Sequence, residues 1–325
     1  MVGRSAVVSD TGRRRLRNED AFVCAPPLFA VADGMGGAQA GEVASGLAAA
    51  VLEEGAGDER GEARVASLIQ EANRRVFQRS NEDAATSGMG TTMTVALLDS
   101  SGGTIAFGHV GDSRAYRVRE GRLEQLTDDH SLVGELVRSG KLSPEEAESH
   151  PQRSVITRAL GTEPDVDVDT FTVEARPDDL YLLCSDGLTD MVSADEIFSL
   201  LDGSDDLEVA ARALIEAANA GGGEDNITVV LFQIGAAGEV EHTAQMPAAV
   251  EPEAVEDDED TLSGLDPVPV VDTAVIPAAM VEEHLQRVEA QQPSRPKPRR
   301  RVFPLVLLLV LIVALVVLAA WGLSR

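Results

Sequence analysis

Four apolar runs in this chain each meet an aspartate at one end. LFAVADGMGG (28–37) breaks on Asp33, FGHVGDSR (107–114) carries Asp112 after a second run, YLLCSDGL (181–188) breaks on Asp186, and GGGEDNITVVLFQI (221–234) sets Asp225 just before a fourth. Any one of them reads equally well as a turn residue, since Asp-Gly is among the commonest turn dipeptides. Four of them are harder to dismiss. Each lies beside Gly, Ser or Asn, so a tight turn can aim the carboxylate outward and leave a backbone carbonyl exposed nearby. Converging carboxylates repel unless a cation sits among them. Oxygen-only donors select hard ions such as Mg²⁺ or Mn²⁺ over zinc, which would call for Cys or His.

The runs that deliver these residues read as strands. β-branched and alternating apolar content predicts strands over Ala6–Ser9, Asp20–Ala25, Leu28–Asp33, Gly90–Asp99, Thr104–Gly111, Arg114–Arg119, Asp179–Cys184 and Ile227–Ile234. The stretch GGTIAFGHVGDSRAYRVREGRLEQLT reads as a meander, turning at Asp112-Ser113 and at Glu120-Gly121. Three-to-four spacing of apolar residues predicts helices over Gly41–Glu54, Glu62–Arg79, Ala194–Leu201 and Asp206–Ala220. Helix pairs alternating with hairpin-connected strands indicate an α+β domain, antiparallel sheet covered by helices, and not a βαβ parallel fold. Asp129–Pro177 is less regular, with one short helix in SLVGELVRSG, and reads as a flap beside a site.

Three segments follow from the composition. Residues 1–236 hold nearly all the periodic structure. Residues 237–301 are rich in Pro, Ala and acids, and they hold many of the chain's Asp and Glu. They read as a solvated linker. Residues 302–323, VFPLVLLLVLIVALVVLAAWGL, carry no charge. At about 1.5 Å per residue such a run spans the roughly 30 Å hydrocarbon core, which predicts a transmembrane helix. Arg295, Lys297, Arg299, Arg300 and Arg301 precede it, so the positive-inside rule puts the large N-terminal part in the cytoplasm. The basic cluster suits anionic headgroups, and a surface this acidic argues against nucleic acid as a partner. Cys24 and Cys184 lack metal spacing and read as small buried hydrophobes.

A second chemical feature is TGRRRLRNEDAFV, where Arg13, Arg14, Arg15 and Arg17 precede Asn18-Glu19-Asp20 at the entrance to a strand. An arginine there can bind a phosphate bidentately beside acids that order metal-bound water. With it in view, RLRNED, LFAVADGMGG, GTTMTVALL, HVGDSRAYR, LTDDHS, YLLCSDGLTD and GGEDNITVVL together resemble the metal-dependent type-2C serine/threonine protein phosphatases in their bacterial form. The likeness runs in order through residues 5–235 and does not reach the linker or the apolar run.

That resemblance implies a four-layer α/β/β/α sandwich, two antiparallel sheets flanked by helix pairs. It implies Mn²⁺ or Mg²⁺, two ions with a third, weaker one. Asp33 would bridge the two, the Gly34 carbonyl would help hold the second, and Asp186 and Asp225 would complete the first. Glu19 and Asp20 would act through waters, and Asp112, Asp186 and Asp190 match the third position. Arg15 would bind the phosphate of a phosphoserine or phosphothreonine protein, cleaved by a metal-bridging hydroxide. The expected setting is a membrane-tethered cytoplasmic enzyme opposing membrane Ser/Thr kinases. The chain departs from eukaryotic relatives at Met35, where those commonly have a histidine proposed as general acid. His109, His130, His150, His242 and His284 show no ligand spacing and read as structural or surface residues.

Overall fold

Strand β3, Leu28–Met35, has residues buried on both of its faces, and it defines the architecture. Leu28, Ala30 and Ala32 pack in one apolar cluster with helical residues, whereas Phe29 and Val31 pack in another with strand residues. Period-two alternation is therefore present, but both halves are apolar because both faces are covered. The same division holds for β11, Leu180–Cys184, and β12, Ile227–Ile234. These three are interior strands of two stacked sheets.

The computed structural model describes residues 2–36, 40–55, 57, 59–82, 84–99, 103–148, 150–235 and 274–275. One sheet runs β1 (Val2–Asp10), β12, β11, β7 (Arg114–Arg119) and β8 (Arg122–Gln125). The other runs β10 (Asp169–Glu174), β6 (Thr104–Val110), β5 (Met93–Leu98), β3 and β2 (Asp20–Ala25), with β4 (Gly90–Thr91) paired on β3. Every pairing in the two sheets is antiparallel. Helices α1 (Ala40–Glu54) and α2 (Glu62–Glu82) share a core with the second sheet. Helices α5 (Asp186–Thr189), α6 (Ala194–Asp202) and α7 (Leu207–Gly221) share one with the first. Between the sheets, Phe29 stacks on Phe232 at 4.2 Å between ring centroids and Tyr181 on Phe232 at 5.0 Å. Stacked pairs of this kind contribute about 0.5–1.5 kcal/mol each beyond their buried area. The result is the α+β, four-layer sandwich.

Two expectations need correction. Thr104–Arg119 is not a meander, because β6 and β7 belong to different sheets and the chain crosses the sandwich at Gly111–Ser113. Local alternation cannot distinguish a hairpin from a crossover, since both need a turn between two apolar strands. The Glu120-Gly121 turn does close a hairpin, β7 with β8. The 129–177 segment is also more ordered than its composition implies. After α3 (Leu132–Arg138), α4 (Pro144–Glu148) and β9 (Val155–Ile156) it ends in β10, an edge strand whose Phe171 stacks on Phe107 at 5.2 Å.

No helix among the described residues is long and apolar enough to cross a membrane. The predicted span 302–323 and nearly all of the linker 237–301 lie outside those residues. The exception in the linker is β13, Ala274–Val275, paired in parallel with Val155–Ile156 of β9.

Candidate metal centre

Antiparallel pairing brings the chemistry to one end of the sandwich. The end of β11 lies beside the start of β12, and Ser185 and Thr228 continue that pairing, Ser185 N donating to Thr228 O at 3.1 Å and Thr228 N to Ser185 Oγ at 2.9 Å. Asp186 and Asp225 are thereby neighbours. In the other sheet the start of β2 faces the end of β3, and the register sets Asp20 directly opposite Asp33. Like charges directly across an antiparallel pair destabilise it. The β6–β7 crossover delivers Asp112 to the same end.

The electrostatics follow from this crowding. Asp33 is held well above the usual carboxylate range, first by burial and then by the negative charges of Asp20, Asp186, Asp225 and Asp112. Asp186 is likewise raised by burial, then by the negative charges of Asp112, Asp225 and Asp190. Burial lifts Asp112 to about 7, with Asp129 and Asp190 adding to the shift. Asp20 is lifted to about 6 by burial, although Thr228 and Ser185 donate to its Oδ2 at 2.6 and 2.8 Å. Asp190 is raised mainly by burial and opposed by Arg153, whose Nε stands 3.5 Å from its Oδ2.

Arg15 donates to Asp225 Oδ2 at 2.7 Å. Its loop is suspended from one side chain that the sequence reading did not single out, Asn226. The Asn226 amide accepts from Glu19 N at 2.8 Å and donates to Thr11 O at 2.9 Å and Arg17 O at 2.8 Å. Glu19 O in turn accepts from Gly34 N at 3.1 Å and Ser45 Oγ at 2.6 Å. Gly34 is required sterically: a Cβ there would stand 2.2 Å from Gly41 O and 2.5 Å from Glu19 O. The glycine lets β3, the arginine loop and α1 meet.

Met35 is nearly buried and packs with Ile156 and Ala159 of the flap. His109 and His130, also buried, lie beside the Asp112 crossover with ring centroids 4.7 Å apart and planes tilted by 40°. His130 Nδ1 accepts from Gly111 N at 3.1 Å while its own N donates to Gly111 O at 2.7 Å. Both rings are buried, and His130 ties the strand end before Asp112 through Gly111. His242 and His284 lie outside the described residues. A cavity of about 560 Å³ opens between the flap and α5–α6, with Asp112, Asp186, Asp190, Arg114, Arg138 and Arg153 in its lining.

Among the described residues, no three His, Cys, Asp or Glu side chains stand as a ready-made metal cage. The donor set nevertheless fits hard divalent cations. Asp20 Oδ1 and Asp186 Oδ1 are buried without a hydrogen-bond partner, and the surrounding carboxylates raise one another's pKa. Buried carboxylate oxygens left this way are costly unless a cation or proton compensates them.

Comparisons with known proteins agree with this geometry. The family model for protein phosphatase 2C matches residues 11–215. The serine/threonine phosphatase stp of Listeria welshimeri is 42% identical over 237 residues, covering 69% of this chain and 93% of that protein. The serine/threonine protein phosphatase PstP of Mycobacterium tuberculosis is 39% identical over 324 residues, 97% of this chain and 60% of that longer protein. A crystal structure of the catalytic domain of PstP in complex with two manganese ions superposes with a TM-score of 0.66 at 40% identity, covering 72% of this chain and 98% of that one. The chain belongs to the protein phosphatase 2C family and is a serine/threonine protein phosphatase.

Proposed function

We propose that this phosphatase hydrolyses phosphoserine and phosphothreonine in proteins with two divalent cations, Mn²⁺ or Mg²⁺, and a third, weaker one. Asp33, the Gly34 carbonyl, Asp186 and Asp225 would hold the two ions, with Glu19 and Asp20 acting through waters. Asp112, Asp186 and Asp190 would hold the third. The observation that carries this reading is the register that sets Asp20 opposite Asp33 amid Asp112, Asp186 and Asp225. When bound, the ions would neutralise phosphoryl charge and acidify a water so that it attacks phosphorus at neutral pH.

The chain's own residues supply the rest. Arg15, now paired with Asp225, presents a planar fork to the substrate phosphate, and the charge it offers counts most as negative charge builds in the transition state. Asn226 fixes the loop that aims it. Met35 cannot donate a proton, so the proton for the leaving alkoxide comes from a donor other than this side chain. Its contact with Ile156 and Ala159 gives the residue a packing role in place of a chemical one.

The organisation proposed with this activity is a catalytic unit over 1–236, a linker over 237–301 and a membrane span over 302–323, with the catalytic unit in the cytoplasm opposite membrane-bound Ser/Thr kinases. The charge-free run and the basic residues before it support that placement. The activity is tested by Mn²⁺-dependent release of phosphate from a phosphothreonine peptide, native chain against Asp33→Asn. Loss of roughly 10³-fold or more in the variant is expected if Asp33 holds the ions. Equal rates would sink the metal assignment.

A further inference from the structure

Strand β9 is only Val155–Ile156, yet both of its edges are in use. On one side Ile156 bridges Ser131, and Thr157 N donates to His130 O at 2.7 Å. On the other, Ala274 and Val275 of the linker pair with Val155 and Ile156. The strand is also fastened over the centre. Ile156 is fully buried against Met35, two residues beyond Asp33, and Arg153 reaches Asp190 at 3.5 Å and Glu224 at 3.8 Å. A strand added at β9 runs about 4.8 Å from it, on the edge away from Ser131.

The sequence of the occupant suits that place. The linker is rich in Pro, Ala and acids, but around Ala274–Val275 it reads VPVVDTAVI (268–276), rich in β-branched residues and free of Lys and Arg. Such residues favour an extended chain. Pairing by backbone bonds makes few demands on side chains, which suits an edge that must accept many different proteins. A two-residue ladder is short enough to be displaced, and tethering in cis keeps its effective concentration high.

We propose that the outer edge of β9 is a strand-addition surface at the mouth of the phosphatase centre, occupied in cis by Ala274–Val275 and contested by an extended stretch of the phosphoprotein substrate. This rests on the functional reading above and adds how that site takes its substrate and how the linker regulates it. The linker is then a weak, built-in competitor for protein substrates and is indifferent to small ones.

The test uses the full chain and a double variant, Ala274→Pro with Val275→Pro, which removes both linker amide donors. Hydrogen exchange should show Val155–Ile156 protected in the native chain and exchanging about ten-fold faster in the variant. The KM for a phosphothreonine peptide should fall roughly three- to ten-fold in the variant, with kcat and the turnover of a small aryl phosphate unchanged. A synthetic peptide of residues 268–278 should restore the higher KM, and a scrambled one should not. Free-chain exchange at 274–276 in the native protein overturns the pairing. Intact pairing with the same peptide KM in both proteins overturns the competition. Exchange does not need turnover, so failure of the metal assignment would be seen separately, as loss of aryl phosphate hydrolysis in the native chain.

Discussion

Asn226 shows what a single side chain decides here. Its amide spans three bonds to a loop more than two hundred residues earlier in the chain, and that loop carries Arg15 and Glu19. Asn226→Asp replaces two donors with a charged acceptor facing two carbonyls. The expected result is a rise in KM for phosphopeptide that exceeds the fall in kcat, because Arg15 loses its aim. A stability loss of about 2–3 kcal/mol should accompany it, from buried groups left unpaired. Steady-state kinetics and urea denaturation check both, and an unchanged KM would remove Asn226 from the positioning role. The sequence offered Asp225 beside it as a candidate and no sign of Asn226, since spacing along the chain carries no information about a contact so remote. Met35 was visible as a departure from relatives, but its partners Ile156 and Ala159 were not.

At the scale of elements, both faces of the central strands must match what covers them. Helix α2 approaches β6 closely because position 108 has no side chain: a Cβ there would lie 2.3 Å from Val65 Cγ1 and 2.7 Å from Ile69 Cδ1. Gly108→Val should therefore force α2 away and cost about 1–3 kcal/mol by overpacking, read as a lower urea midpoint at constant slope. An unchanged midpoint would mean the helix yields freely. Strands with β-branched alternation and helices with three-to-four spacing were legible because those periods are local. The assignment of β6 and β7 to separate sheets was not, and neither was β10 within a polar stretch, because membership of a sheet depends on partners elsewhere in the chain.

For the whole molecule, the crowded carboxylates set a pH dependence whose sign can be stated. Asp20 at about 6 and Asp112 at about 7 bind protons more tightly folded than unfolded, where carboxylates titrate near about 4. Between those limits the native state holds more protons, so metal-free stability falls as pH rises. Melting in EDTA should shift upward from pH 7.5 to 6. Saturating Mn²⁺ should raise the melting temperature most at pH 7.5, because ligands bind deprotonated. A metal-free protein that loses stability on acidification through this window would contradict the site's electrostatics. The tail adds a prediction at the same scale: deleting residues 300–325 should move phosphatase activity from the membrane to the soluble fraction with turnover of soluble peptide retained. Activity that remains with the membrane would rule out the span as the tether.

The sequence by itself determined most of the strands and the four longer helices, the α+β class, and the set of acidic residues worth watching, because apolar period and turn chemistry are properties of neighbours along the chain. It also marked the charge-free run and the basic cluster before it. Only the tertiary structure decided that Asp20 faces Asp33, that Asp112 arrives by crossing between sheets, and that Asn226 holds the arginine loop. These depend on register and on which ends of antiparallel strands meet. A carboxylate becomes a candidate ligand when other carboxylates crowd it, and that crowding exists only in the folded chain.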